Sequence, residues 1–206
     1  MPIFPLPQVQ LFPHALLPLH VFEPRYRALT KDALAGSRLI ALPLLEPGYE
    51  ERYEERPPVR AVCGVGKILE HEALPDGRAN ILLQGLTRAR ILEELPPAQP
   101  YRLVRLSPLP DVLPAAFDAA SAHRTLLLLA DQLALRLPAG TQTLRTLAHS
   151  QPDLGPLSDV LAAALLTDPT ARQHLLETPD VPTRVDLVTT HLGTLLSRFT
   201  PTTPSN

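Results

Sequence analysis

Gly64-Val65-Gly66-Lys67 is the first place in this chain where residue types and spacing could serve chemistry. A phosphate-binding loop would need glycine five positions before Gly66 and a hydroxyl after Lys67 to hold magnesium. Ala61 and Ile68 stand there, so the stretch reads as a strand whose glycines admit close backbone contact. Seven histidines are spread along the chain, and none forms an H-E-x-x-H pair. "HVFE" (20–23) and "HE" (71–72) are partial ligand sets that would need distant partners. No G-x-S-x-G elbow occurs. A serine–lysine dyad would have to use Lys31, among polar residues of a predicted helix, or Lys67, in a strand beside no obvious serine. No catalytic, cofactor-binding or metal-ligating residue is therefore assigned, and no cofactor is expected. The stretch best suited to contacts is the charged "EPGYEERYEERPP" (46–58), where Tyr49 and Tyr53 present amphipathic rings in a predicted loop.

The elements that must position these residues follow two rhythms. In the first 110 residues, short apolar runs are bounded or interrupted by Pro or Gly: 16–22, 38–45, 62–69, 79–84, 89–95 and 101–109. That spacing predicts a small barrel or sandwich. One helix is expected over 24–34, with Pro24 in its first turn and Gly36 as its stop. "LPDGRANILLQGLTRARI" (74–91) reads as a bent hairpin. Asp76-Gly77 makes the turn, Gly85 permits a bend, and arginines take one face with Ala89 and Ile91 on the other.

From about residue 111 the pattern becomes helical. Helices are predicted over 116–137, stopped by "PAG" (138–140), then over 141–150, 155–166 and 182–199. Thr167-Asp168-Pro169 reads as a further cap with Pro in the first turn. Val181, Val185, Val188, Leu192, Leu195 and Phe199 step by four and three, which makes one apolar stripe whose expected partner is the 116–137 helix. The fold class is thus α+β: a β-rich unit over 1–110, a helical bundle over 111–199 and a disordered tail over 200–206.

Composition narrows the function classes. The net charge of -2 leaves no strong field for phosphates, so nucleic acid is an unexpected partner. The single Cys63 gives no disulfide framework, the N-terminus has no secretion signal, and the longest apolar run, 160–166, is too short to span a membrane. A reducing, cytoplasmic setting is expected.

Three segments carry a family resemblance: "IFPLPQVQLFPHALLPLHVFEPRYR" (3–27), "CGVGKILE" (63–70) and "LPDGRANILLQGLTRARI", in that order. With the weaker match of "LLETPDVPTRVDLVTTHLGTLL" (175–196), they resemble the Lon N-terminal domain, the substrate-binding domain of the Lon proteases. The resemblance covers about residues 2–199. It implies a PUA-like, six-stranded pseudo-barrel followed by a helical bundle, and recognition of polypeptides. Proteolysis is not implied, because neither a Walker motif nor a protease serine segment is seen and the chain ends without room for those modules. The expected role is a non-enzymatic, polypeptide-binding adaptor or holdase, with an ATP-dependent protease as one conceivable partner. RNA binding by the PUA-like barrel, through Arg78, Arg88, Arg90, Arg102 and Arg105, is the alternative, and a small hydrolase a further one.

Within the motif, Phe22 is expected to enter the core, so that Phe22→Ala would cost ~3 to 5 kcal/mol. Glu23 is expected to pair with Arg25 or Arg27. Tyr26 reads either as core, with its hydroxyl at the edge, or as part of a binding surface beside Tyr49 and Tyr53.

Overall fold

The computed structural model describes residues 1–53, 55–137 and 141–199, and there the predicted rhythms become six strands and six helices. In chain order these are β1 (Pro2–Ile3), β2 (Leu16–Val21), α1 (Pro24–Ala35), β3 (Leu39–Leu42), β4 (Val62–Ala73), β5 (Ala79–Glu94), β6 (Arg102–Pro108), α2 (Ala119–Ala134), α3 (Thr141–His149), α4 (Leu154–Leu165), α5 (Pro169–Glu177) and α6 (Val181–Ser197). The chain divides into two units, Met1–Pro110 with Asp168–Glu177, and Asp111–Thr167 with the chain from Thr178 onward.

In the first unit the strands run β2-β5-β4-β3-β1-β6, and β6 returns to pair with β5. The ring therefore closes, which removes most sheet edges. The runs 79–84 and 89–95, read as separate strands, form the single 16-residue β5. Its first half pairs with β2 and its second half with β6. Pro18 is tolerated in β2 because that strand stands at the end of the order and needs no donor on its outer side. The hairpin turn is made by Gly77 at φ +79°, while Asp76 Oδ1 accepts from the Arg78 N–H at 3.0 Å.

Glycines decide how the chain crosses this barrel. A Cβ on Gly64 would lie 1.8 Å from the Leu11 carbonyl oxygen, and one on Gly85 would lie 1.9 Å from that of Phe12. Segment 10–15 thus rests directly on strand backbone, and hydrogen bonds from His14 N–H to Gly85 O and from Gly85 N–H to Ala15 O fix it there. Helix α1 fills the barrel with Tyr26, Leu29, Thr30 and Ala33, spaced along one face. Tyr26 stacks on Phe4 with ring centres 4.0 Å apart.

Phe22 is not core: 59% of it is exposed. The reason is strand parity. Leu17, Leu19 and Val21 turn inward along β2, so Leu16, Pro18, His20 and Phe22 turn outward. Phe22 lies beside the His20 ring instead.

Helix α5 belongs to the sheet unit, which amends the expected helical span of 111–199. Asp168 caps it by accepting from Ala171 N–H at 2.7 Å, as the Thr-Asp-Pro pattern foretold. Arg172 and Gln173 then attach it to the sheet unit. Arg172 donates to the side-chain and backbone oxygens of Gln10 and lies over the Phe12 ring. Gln173 donates to Val62 O at 2.9 Å.

In the helical unit the α6 stripe is buried at Val181, Val185, Val188 and Leu192, opens at Leu195 and ends in exposed Phe199. It packs on α2, as expected, and on α4. Helix α2 is shorter than the predicted 116–137, and Asp118 caps it on Ser121 N–H. Arg184 of α6 is fully buried against Asp111, Asp159 and Ser158. The stop at 138–140 and the tail over 200–206 lie outside the described residues.

Glu94 closes the sheet unit electrostatically. Arg102 meets both of its oxygens at 2.8 Å, and Arg56 joins at Oε1. Hydrogen bonds from Arg102, then from Arg56, hold the Glu94 carboxyl below its ordinary value of 4.5. A depressed folded-state value means that the stabilisation is complete above the unfolded value and is lost as pH falls through the folded one. Urea titrations followed by circular dichroism should therefore show stability falling as pH drops below 4.5, with Glu94→Gln flattening that decline. In the same assay at neutral pH, Phe22→Ala should change stability by no more than ~0.5 kcal/mol. Leu29→Ala, at a fully buried site, should cost ~2 to 5 kcal/mol. Gly85→Ala should cost at least ~1 to 3 kcal/mol, since its new methyl meets a backbone carbonyl.

Candidate functional site

The three tyrosines singled out from sequence have three different environments. Tyr26 is 4% exposed and belongs to the core. Tyr53 is half-buried and donates its hydroxyl to Glu23 Oε1 at 2.7 Å. Burial, followed by that bond and the Glu23 charge, raises the Tyr53 phenol to about 12. Glu23 also takes Arg25 on Oε2 at 2.8 Å, which settles the expected pairing in favour of Arg25. The Arg25 guanidinium sits over both the Tyr26 and the Tyr53 rings, at 4.8 and 5.0 Å. This stack ties the charged loop to the start of α1. The other end of the loop is held where Arg102 donates to Pro57 O and Arg56 meets Glu94.

Tyr49 is half-buried, as Tyr53 is. It meets Tyr53 edge-on and lines a groove of about 530 Å³ within the sheet unit. One wall is Leu44, Leu45, Pro47 and Tyr49; α5 supplies Pro169, Gln173 and His174. Gln173 is 4% exposed and spends its amide N–H groups on Val62 O and Glu177 Oε1. Its Oε1 is buried with no hydrogen-bond partner. An orphaned buried acceptor costs free energy until a donor reaches it. The groove therefore combines an apolar wall and an aromatic ring with the charged side chains of Glu50, Arg60 and Glu177. Sequence reasoning missed Gln173 and Arg172, because polar residues on a short helix look like a solvated face.

The other candidates are placed elsewhere. Arg88 is buried and donates to Leu176 O, near the C-terminal end of α5. Arg78, Arg102 and Arg105 are paired with Asp76, Glu94 and Glu93. Four of the five arginines considered for RNA are thus engaged within the chain, while Arg90 is exposed. Lys31 and Lys67 are exposed on α1 and β4. The buried Ser158 donates to Gly155 O and accepts from Arg184. Gly64 and Gly66 admit Leu11, so "GVGK" is a packing device, as its misfit to a phosphate loop implies.

The architecture and the sequence have clear relatives. The N-terminal domain of the Mycobacterium avium complex Lon protease superposes with a TM-score of 0.68 at 19% identity, covering 93% of this chain and 97% of that one. A Lon N-terminal domain protein from Xanthomonas campestris gives 0.65 at 20% identity, covering 98% of each. These likenesses establish the fold: an α+β chain with a six-stranded mixed sheet. In sequence, the Lon protease of Trichlorobacter lovleyi is 30% identical over 202 residues, and that of Dictyoglomus thermophilum 28% over 197. The chain spans 24% of the length of each of these two relatives. The family model of the ATP-dependent protease La (LON) substrate-binding domain matches residues 1–194, and the chain belongs to that family.

Proposed function

We propose that this chain is a polypeptide-recognition module that performs no chemistry of its own, and that it works as an adaptor or holdase in protein quality control. Unfolded or extended segments of other proteins are its ligands, in a reducing, cytoplasmic setting. An ATP-dependent protease is the partner to which such segments would pass. The observation that carries this reading is the Tyr49 groove, which Gln173, with no hydrogen-bond partner for its Oε1 among the described residues, lines together with Leu44, Leu45 and Pro47. A backbone N–H of an incoming segment satisfies Oε1, while an apolar side chain lies against the leucines and the Tyr49 ring. Family membership supports the same ligand class. The engagement of most barrel arginines with carboxylates and a backbone carbonyl weighs against RNA.

Fluorescence anisotropy with a labelled, reduced and alkylated polypeptide that cannot refold tests this. Wild-type protein should bind it with a Kd of roughly tens of micromolar, the range of a weak transient contact near -6 kcal/mol. Tyr49→Ala should weaken binding roughly fivefold, the effect of losing one aromatic rim contact. No binding by a folded wild-type chain, or identical binding by the Tyr49→Ala protein, overturns the reading.

A further inference from the structure

A second groove, of about 640 Å³, lies in the sheet unit between α1 and the β4–β5 turn. Its lining is mostly carbon, from Val21, Ala28, Leu34 and Ala79 among others, and it contains no carboxylate. Its charged lining residues are Arg27 and Lys31, one helical turn apart on α1, and Arg78 across from them; His71 adds a titratable ring. Arg27 and Lys31 are both exposed, and neither has an ion-pair partner among the described residues. Arg27 reaches over the hairpin turn, where its Nη2 occupies the space that a Cβ on Gly77 would take. Four acidic residues near these elements have partners of their own. Glu23 holds Arg25 and Tyr53, Asp32 accepts from Tyr101, Glu72 accepts from Asn80, and Asp76 holds Arg78.

A second observation points the same way. Thr30 is 3% exposed and lines this groove, and its hydroxyl has no hydrogen-bond partner. On a helix, a buried threonine hydroxyl ordinarily bonds back to the preceding turn. Here it is an unspent donor and acceptor beside an apolar floor.

We infer that this groove takes peptide segments in which aliphatic side chains alternate with carboxylates. The aliphatic groups fill the space over Val21 and Leu34, the carboxylates meet Arg27 and Lys31, and a backbone group reaches the Thr30 hydroxyl. The apolar floor contributes most of the affinity, and the two unpaired cations select the sign of the ligand's charge. The inference rests on the polypeptide reading for its ligand class but uses a separate groove and separate residues, and it restricts which polypeptides bind there.

The test uses three labelled peptides of equal length: one alternating Leu and Glu, one alternating Leu and Lys, and one alternating Ser and Glu. The wild-type chain should bind the Leu/Glu peptide best, and added salt should weaken that complex. The double variant Arg27→Glu with Lys31→Glu should bind Leu/Glu roughly tenfold more weakly and Leu/Lys more tightly than wild type does, since exposed charges set selectivity more than affinity. Circular dichroism and the urea midpoint of the double variant establish that the gain for the reversed peptide comes from a folded chain. Lys31→Glu alone, at one exposed helical position, should shift both affinities in the same directions by less. Equal binding of the Leu/Glu and Leu/Lys peptides by wild type, an unchanged Leu/Glu affinity in the double variant, or displacement of Leu/Glu by a single-stranded oligonucleotide at lower concentration than by unlabelled peptide would overturn it. If any of these occurs while the unfolded polypeptide still binds in a Tyr49-dependent way, only the second groove falls. If neither ligand binds wild type, both readings fall.

Discussion

The sheet unit depends on one backbone-to-backbone contact. Segment 10–15 lies so close to β4 and β5 that Gly64 and Gly85 have no room for a side chain, because the Leu11 and Phe12 carbonyls occupy that space. The contact buries Leu11 and Phe12 completely or nearly so and fixes where Gln10 emerges. Gln10 is then held from both sides by α5: its amide donates to Pro169 O, and its oxygens accept from Arg172. So a steric allowance at two glycines positions a helix more than 150 residues away in sequence. That helix supplies one wall of the Tyr49 groove, and the groove inherits its geometry from the strand below it.

The helical unit is organised differently, around a charge instead of a close approach. Arg184 has no exposed surface, so its guanidinium needs partners within the fold. Asp111 meets it with two oxygens, Ser158 and Asp159 both face its Nε, and Thr178 O accepts from Nη1. A buried ion pair is weak evidence for stability, because desolvation offsets much of the attraction. Its effect is better described as registry. The guanidinium fork has one arrangement that satisfies donors from α6 against acceptors on α4 and on the segment before α2, and the Val112–Asp180 bridge lies next to it.

What could be read from the sequence were the features whose cause is local. The Asp76-Gly77 turn, the Asp168 cap, the α6 stripe and the closely packed glycines each follow from a few adjacent residues. The errors come from partners that are not local. Phe22 looks like core in the run "LHVF", but it sits one residue beyond Val21 and faces the opposite way. The two halves of β5 read as separate strands because the buried set shifts phase, from Ala79, Ile81 and Leu83 to Arg88 and Ala89, where the neighbour changes from β2 to β6. Arg88 reads as surface in an alternating pattern, yet it ends on a carbonyl of α5. No periodicity could show that α5 leaves the helical rhythm around it and joins the sheet unit.

The charged loop shows how this affects a binding surface. Seen as sequence, Tyr49 and Tyr53 are equivalent: both are aromatic, both followed by two glutamates. The fold separates them through a single carboxylate. Glu23 takes the Tyr53 hydroxyl and aligns Arg25 between two tyrosine rings. That arrangement uses the one hydroxyl donor of Tyr53 and makes it an anchor for the loop. Tyr49, four residues earlier, meets Tyr53 edge-on and lines the groove. An anchored aromatic loses less conformational freedom when it meets a ligand, and this lowers the entropic cost of a weak contact. The same pairing has a consequence on α1. By occupying Arg25 and Glu23 with each other, it leaves Arg27 and Lys31, on another face of the helix, without a carboxylate partner among the described residues. One ion pair at the start of α1 thus stiffens the aromatic rim of the first groove and leaves uncompensated the positive charge that lines the second.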